Sequence, residues 1–218
     1  MRVRATILAP AMLALCMSSA RAQDELPPPA WRLSIAPTIG ALALDSHLSD
    51  YRWDTSVSMQ PGLRVGLHHA RFTTAFRTAW SGTEQATGIP GEPTSPSVHL
   101  TQLDLALEGR MATWAGVEMW ASGHGGRLFL GYEPDQMTVD AGGTPVTVSF
   151  DAITEWCYGL GLAFRRDVAR HLALGLQLDQ TTFRLDTAHR SGDEIVEARE
   201  SFSNWSLSLS LMGFMDLD

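Results

Sequence analysis

Lysine is absent from this chain: all 16 basic residues are arginine, set against 24 acids. A chain of formal charge −8 without clustered cations is a poor nucleic-acid binder, because such binding rests on neutralising phosphates. Cysteine is nearly absent, with Cys16 and Cys157 alone, so no disulfide framework is expected. Beyond residue 22 there is no long apolar run, and a membrane helix is excluded there. Helical periodicity is scarce as well. Moderate apolar content without long runs leaves two classes. One is a soluble β protein; the other is a transmembrane barrel whose strands hide their apolar face by alternation.

What is present begins with an export signal. Met1-Arg2-Val3-Arg4 is cationic, Ala5 to Met17 is almost wholly apolar, and Ala20-Arg21-Ala22 offers small residues at a cleavage site. These three parts make residues 1–22 a candidate cleavable secretory signal. Its removal takes away Arg2, Arg4 and Arg21 but no acid, leaving a charge of −11 and Cys157 as the sole thiol. Residues 23–30, Gln-Asp-Glu-Leu-Pro-Pro-Pro-Ala, read as a stiff polar leader, and 31–218 as one domain.

Period-2 alternation dominates that domain. Its longest stretch is 146–164, where Val146, Val148, Phe150, Trp156, Tyr158, Leu160, Leu162 and Phe164 share one face. Asp151, Glu155, Cys157, Gly159, Gly161 and Ala163 share the other. Similar runs recur, and the pattern predicts eight strands: 31–44, 55–68, 71–82, 97–109, 113–123, 146–165, 171–187 and 200–216. Each reaches the ~9–11 residues needed to cross a bilayer at a tilt. Short turns near 68–71, 109–113 and 165–171 alternate with longer loops at 45–54, 83–96, 124–145 and 188–199. Long loops on one side only is the asymmetry of an outer-membrane barrel.

Three features favour a membrane barrel over a soluble one. The non-apolar face mixes small residues with charges of both signs, as a narrow lumen crossed by ion pairs requires. Aromatics fall near strand ends, with Trp31, Phe72, Trp114 and Phe164 toward the short turns and Trp53, Trp80 and Phe150 toward the long loops. No charge interrupts the apolar face of the best segments, where an Arg at the bilayer midplane costs about 2–4 kcal/mol. The fold class expected is therefore all-β, a single closed antiparallel up-and-down transmembrane barrel.

The signal, the alternating strands and the final Trp205–Leu217 strand resemble the small outer-membrane barrels of the OmpA, OmpX and OmpW type. The resemblance covers residues 31–217 and rests on pattern, not on a motif. It implies an outer-membrane location and contact with lipid and lipopolysaccharide. Barrel-assembly machinery and periplasmic chaperones are implied during biogenesis, with a monomer as the product. Such chains usually end on an aromatic residue, whereas Leu217 here is followed by Asp218.

The polar residues expected to matter are structural. Arg32, Arg64, Arg77, Asp104, Glu118, Glu155 and Asp179 lie on the lumen phase of their strands and are expected to pair across it. Eight strands leave an interior just filled by side chains, so the barrel should conduct poorly. The seven histidines fall mostly in loops, turns and strand ends, and none sits in a recognisable hydrolase pattern. His68-His69 reads as a solvated turn, and Gly123-His124-Gly125-Gly126 as the start of a flexible loop. No catalytic, cofactor or metal site is expected. The function expected is structural, surface recognition or small-solute passage. The alternatives are a lipid-modifying hydrolase or acyltransferase, favoured by a His, Ser and acid cluster at one rim, and a soluble lipocalin-like binder with Leu and Trp inside.

Overall fold

β-branched, leucine and aromatic residues at every second position suit a pleated strand, which sends successive side chains to opposite faces. The computed structural model describes residues 31–87, 95–140, 143–191 and 194–217. The expected signal and leader, 1–30, lie outside the described residues. Among those described, ten strands form: β1 (Trp31–Ala43), β2 (Ser58–His69), β3 (Phe72–Glu84), β4 (Ser97–Trp114), β5 (Val117–Glu133), β6 (Gln136–Asp140), β7 (Pro145–Ser149), β8 (Ile153–Ala169), β9 (Leu172–Ser191) and β10 (Glu194–Leu217). Eight close a ring in the order β1-β10-β9-β8-β5-β4-β3-β2, with β6 and β7 paired as a separate ribbon. Closure runs antiparallel from Trp31↔Leu217 to Ala43↔Trp205. A closed ring is the only way strands can satisfy every backbone group in lipid.

The bulky face of the alternation points outward along most of each strand. Leu160 is 73% exposed and Leu209 59%, while their lumen-side neighbours are small or buried. The soluble lipocalin-like arrangement, with these residues inside, is not what forms. On β10 the outward apolar set runs from Trp205 to Leu217. Thirteen residues at ~3.3 Å rise span about 40 Å, or roughly 30 Å at the usual barrel tilt. That matches the hydrocarbon core.

Four expectations need correcting. The β4–β5 turn is Ala115–Gly116, not 109–113, and both residues adopt positive φ (50° and 77°). Such a pair is the backbone of a two-residue hairpin turn. Residues 124–133 are strand and not loop, as are the described parts of 188–199. The 146–164 run is two elements: β7 ends at Ser149, and β8 starts at Ile153. Finally, Trp53 is buried inside the long-loop end of the barrel; the exposed aromatics there are Trp80, Phe129, Trp156, Tyr158 and Trp205. Glycines and acids look like loop signals, but here they serve strands that leave the membrane or crowd the lumen.

Above that aromatic level the polarity of the wall reverses. On β9, Leu174, Leu176 and Leu178 face out; further along, Phe183 and Leu185 are buried while Arg184 and Asp186 are exposed. β4 does the same, with Leu105 and Leu107 outward but Val98 and Leu100 inward. The inward residues form one apolar core with Leu128, Leu130, Cys157 and Phe202. A short 3-10 helix, Ser46–Tyr51, closes the mouth and drives Leu48 into that core at 1% exposure. Asp45 holds the helix down. One of its carboxylate oxygens accepts the His47 backbone N–H at 3.0 Å, and the other accepts that of Ser203 on β10 at 2.8 Å. Its own N–H donates to Asn204 at 3.0 Å.

Candidate functional site in the barrel interior

The lumen phase brings charged side chains from five strands into two clusters below the apolar core. In the mid-height cluster, Arg77 of β3 donates from Nε to Asp104 of β4 at 2.6 Å and from Nη1 to Asp179 of β9 at 3.1 Å. Gln102 and Gln177 donate to the same carboxylates at 2.7 and 2.9 Å. His124 of β5 lies 3.8 Å from Asp179 and shares a hydrogen bond with Thr181 at 3.1 Å. Glycine is needed around this cluster. A Cβ on Gly126 would strike the Leu103 carbonyl oxygen, and one on Gly161 the Asp179 carboxylate. The free space here is about 50 Å³, room for one or two waters.

The second cluster lies toward the short turns. Arg64 of β2 donates to Glu108 Oε2 at 2.8 Å, and Arg165 of β8 donates to the same oxygen. Their side chains are 3% and 6% exposed, and that of Glu108 is 0% exposed. The two clusters together hold three guanidiniums (Arg64, Arg77, Arg165) and three carboxylates (Asp104, Glu108, Asp179), so the buried set is formally neutral. His68 sits beside it, 2.7 Å from Ser34 Oγ and 2.8 Å from Thr73 Oγ1. This Ser–His pair ends on a threonine and not an acid, and Ser34 is fully buried, so it lacks both the orienting carboxylate and the access of a hydrolase.

Of the seven residues singled out from the sequence, the fold joins Arg77, Asp104 and Asp179 directly. It places Arg64 in the neighbouring cluster. The other three sit at the ends. Arg32 meets Asp216 at 3.0 Å, Glu118 meets Arg110 at 2.5 Å, and Glu155 meets Arg199 at 2.7 Å. Glu108, Arg165 and His124 escaped the sequence reading. Phase was the available signal: Glu108 follows Asp104 and Ala106, and Arg165 follows Gly161 and Ala163, on the lumen side of their strands. His124 was hidden by its glycine neighbours, which lie within β5 and do not start a flexible loop. His68-His69 likewise ends β2 and is not a free turn: Trp31 stacks on His69 at 4.3 Å. Among the described residues no group of three or more His, Cys, Asp or Glu could hold a metal ion.

No protein-family model matches the chain, and no curated protein matches it. Solved structures do. Neisserial surface protein A (NspA) superposes with a TM-score of 0.52 at 12% identity, over 84% of this chain and 96% of that one. Outer membrane protein AlkL, solved in DMPC lipid bilayers, superposes with a TM-score of 0.50 at 14% identity, over 90% of this chain and 94% of that one. At these identities the likeness is one of fold: the chain has the fold of the small outer-membrane β-barrels.

Proposed function

We propose that the chain is an integral outer-membrane protein with a sealed lumen, whose role is carried by the part of the barrel standing clear of the membrane on the long-loop side. The polarity reversal is the observation that carries this reading. A strand in lipid keeps apolar residues outside, and a strand in water keeps them inside; β4 and β9 here do both. Residues 1–22 would bring the chain to that membrane as a cleaved signal, with 23–30 as its leader. Lipid and lipopolysaccharide would surround it, with periplasmic chaperones and the assembly machinery acting on the way. The role is non-enzymatic, either structural or surface recognition. The lumen charges act as a plug: Arg77 with Asp104 and Asp179, Arg64 and Arg165 with Glu108, and the end pairs of Arg32, Glu118 and Glu155. Together with the apolar core above them, they would close the lumen to solutes.

The test is whole-cell labelling with a membrane-impermeant maleimide. The native thiol gives little background, because Cys157 is 2% exposed. Asp186→Cys and His99→Cys should label, and Leu209→Cys should not. Labelling of Leu209→Cys with protection of the other two would overturn the reading. A stable open conductance from the purified barrel in a planar bilayer would refute the sealed lumen.

A further inference from the structure

An arginine on the lipid-facing wall of a barrel is tolerated only near the interfaces. β5 carries one there: Arg127 stands on the outward phase one position before Phe129, within the aromatic level of the long-loop end. Its guanidinium lies over the Trp156 ring, 3.8 Å from the centroid. A guanidinium over a ring face keeps its N–H donors for an acceptor. Among the described residues no carboxylate supplies one. The same row continues round the wall. Arg127 and Trp156 are direct cross-strand partners. The β8–β9 register ends at Cys157↔Phe183, which sets Trp156 opposite the exposed Arg184, and Arg184 faces Ser201 of β10. Arg184 donates from Nε to Ser201 Oγ at 3.2 Å and likewise meets no carboxylate among the described residues. The acids flanking the row, Glu155 and Asp186, are both taken by Arg199, at 2.7 and 3.0 Å.

We propose that Arg127, Trp156 and Arg184 form a docking site on the outer wall for the phosphorylated sugar headgroup of an outer-leaflet glycolipid. Charge complementarity names the anion. Two guanidiniums without carboxylates face outward where the apolar wall ends, and at that depth the anion a bilayer offers is a headgroup phosphate, which a guanidinium grips with two N–H donors. Two strand spacings, about 10 Å, separate Arg127 from Arg184, so the side chains can close on one phosphate from either side of the ring. Trp156 names the rest of the headgroup. It is 65% exposed, and the surface left beside Arg127 suits the apolar face of a sugar ring better than a glycerol. The row belongs to the long-loop end, so the leaflet it meets is the outer one. Such a site presupposes a barrel inserted in an outer membrane, and the experiment separates the two.

The barrel is extracted from cells in maltoside micelles, checked for heat-modifiable migration, and its lipid adducts are weighed by native mass spectrometry. Monophosphoryl lipid A is titrated in one arm, its dephosphorylated counterpart in a second and phosphatidylglycerol in a third. The expected result is an adduct with monophosphoryl lipid A at about tenfold lower concentration than with either of the others, the scale of one charge-assisted hydrogen bond. The double variant Arg127→Gln with Arg184→Gln should lose that preference. Arg184→Gln alone, which removes only the contact with Ser201, should weaken it and serves if the double variant does not fold. Arg170→Gln, an exposed arginine at the short-turn end, should leave it unchanged. Equal adducts with the dephosphorylated lipid or with phosphatidylglycerol overturn the site, as does an unchanged preference in the folded variants or an equal loss in Arg170→Gln. These outcomes are read on a folded barrel, whereas failure of the outer-membrane reading shows separately, as labelling of Leu209→Cys in whole cells.

Discussion

Along β9, Leu174, Leu176 and Leu178 stand outside a lumen wall of Ala173, Gly175 and Gln177; further along the same strand, Phe183 and Leu185 turn inward and Arg184 and Asp186 outward. The inner half of the barrel thus has a polar interior held by the Arg77 and Glu108 clusters, and the outer half an oily one closed by Leu48. Backbone pairing is continuous across the boundary on β9 and β10, from Gly213↔Leu172 to Glu194↔Ser191. The solvent therefore sets the polarity, not the sheet. Where lipid surrounds the wall, water-like groups must be paired inside. Where water surrounds it, the hydrophobic effect fills the interior.

The comparison breaks most visibly if each interior loses a side chain that holds it together. Glu108→Leu would strand Arg64 and Arg165 without a counter-charge and should cost about 3–5 kcal/mol. Phe202→Ala, in the apolar core, should cost a similar ~3–5 kcal/mol, but through a cavity. Urea unfolding from lipid vesicles reads both. A smaller contrast comes from the outer wall. Leu209→Arg should cost about 2–4 kcal/mol near the bilayer midplane. His99→Arg, on the exposed wall above, should stay within about 0.5 kcal/mol. Equal costs at the two positions would erase the boundary.

The Asp45 latch sharpens the picture of the outer half. Burial pushes its carboxyl upward, but the Ser203 and His47 N–H groups outweigh this and hold it below the usual carboxylate range. A depressed folded value means the latch contributes in full above about pH 4 and is lost as pH falls through the lowered value. The Trp53 indole resonance should broaden on acidification, and Asp45→Ala, costing about 0.5–2 kcal/mol, should give the same spectrum at neutral pH. The smallest effect expected is that of Arg199→Gln, itself half exposed where it pairs with Glu155 and with the exposed Asp186; about 0–1 kcal/mol is the range for exposed pairs, visible as a small shift in urea midpoint.

Period-2 phase carried most of what was legible. It placed Trp156 to Phe164 on one face and Cys157 to Ala163 on the other, and the fold keeps that division. It also put Arg77, Asp104 and Asp179 on one wall. It did not pair them, because pairing needs the register of three hairpins, such as Arg77↔Asp104 and Gly161↔Asp179. Loop composition misled at Gly123-His124-Gly125-Gly126 and at 188–199. Small residues at 123–126 serve a crowded lumen, and the described parts of 188–199 continue β9 and β10.

From the chain alone came the closed barrel with its apolar girdle, because a side-chain period of two is a local property that lipid or water must each respect. What fills the interior beyond Thr181, and which carboxylate meets which guanidinium, were decided by closure of the ring. Only closure turns one strand's face into a shared interior.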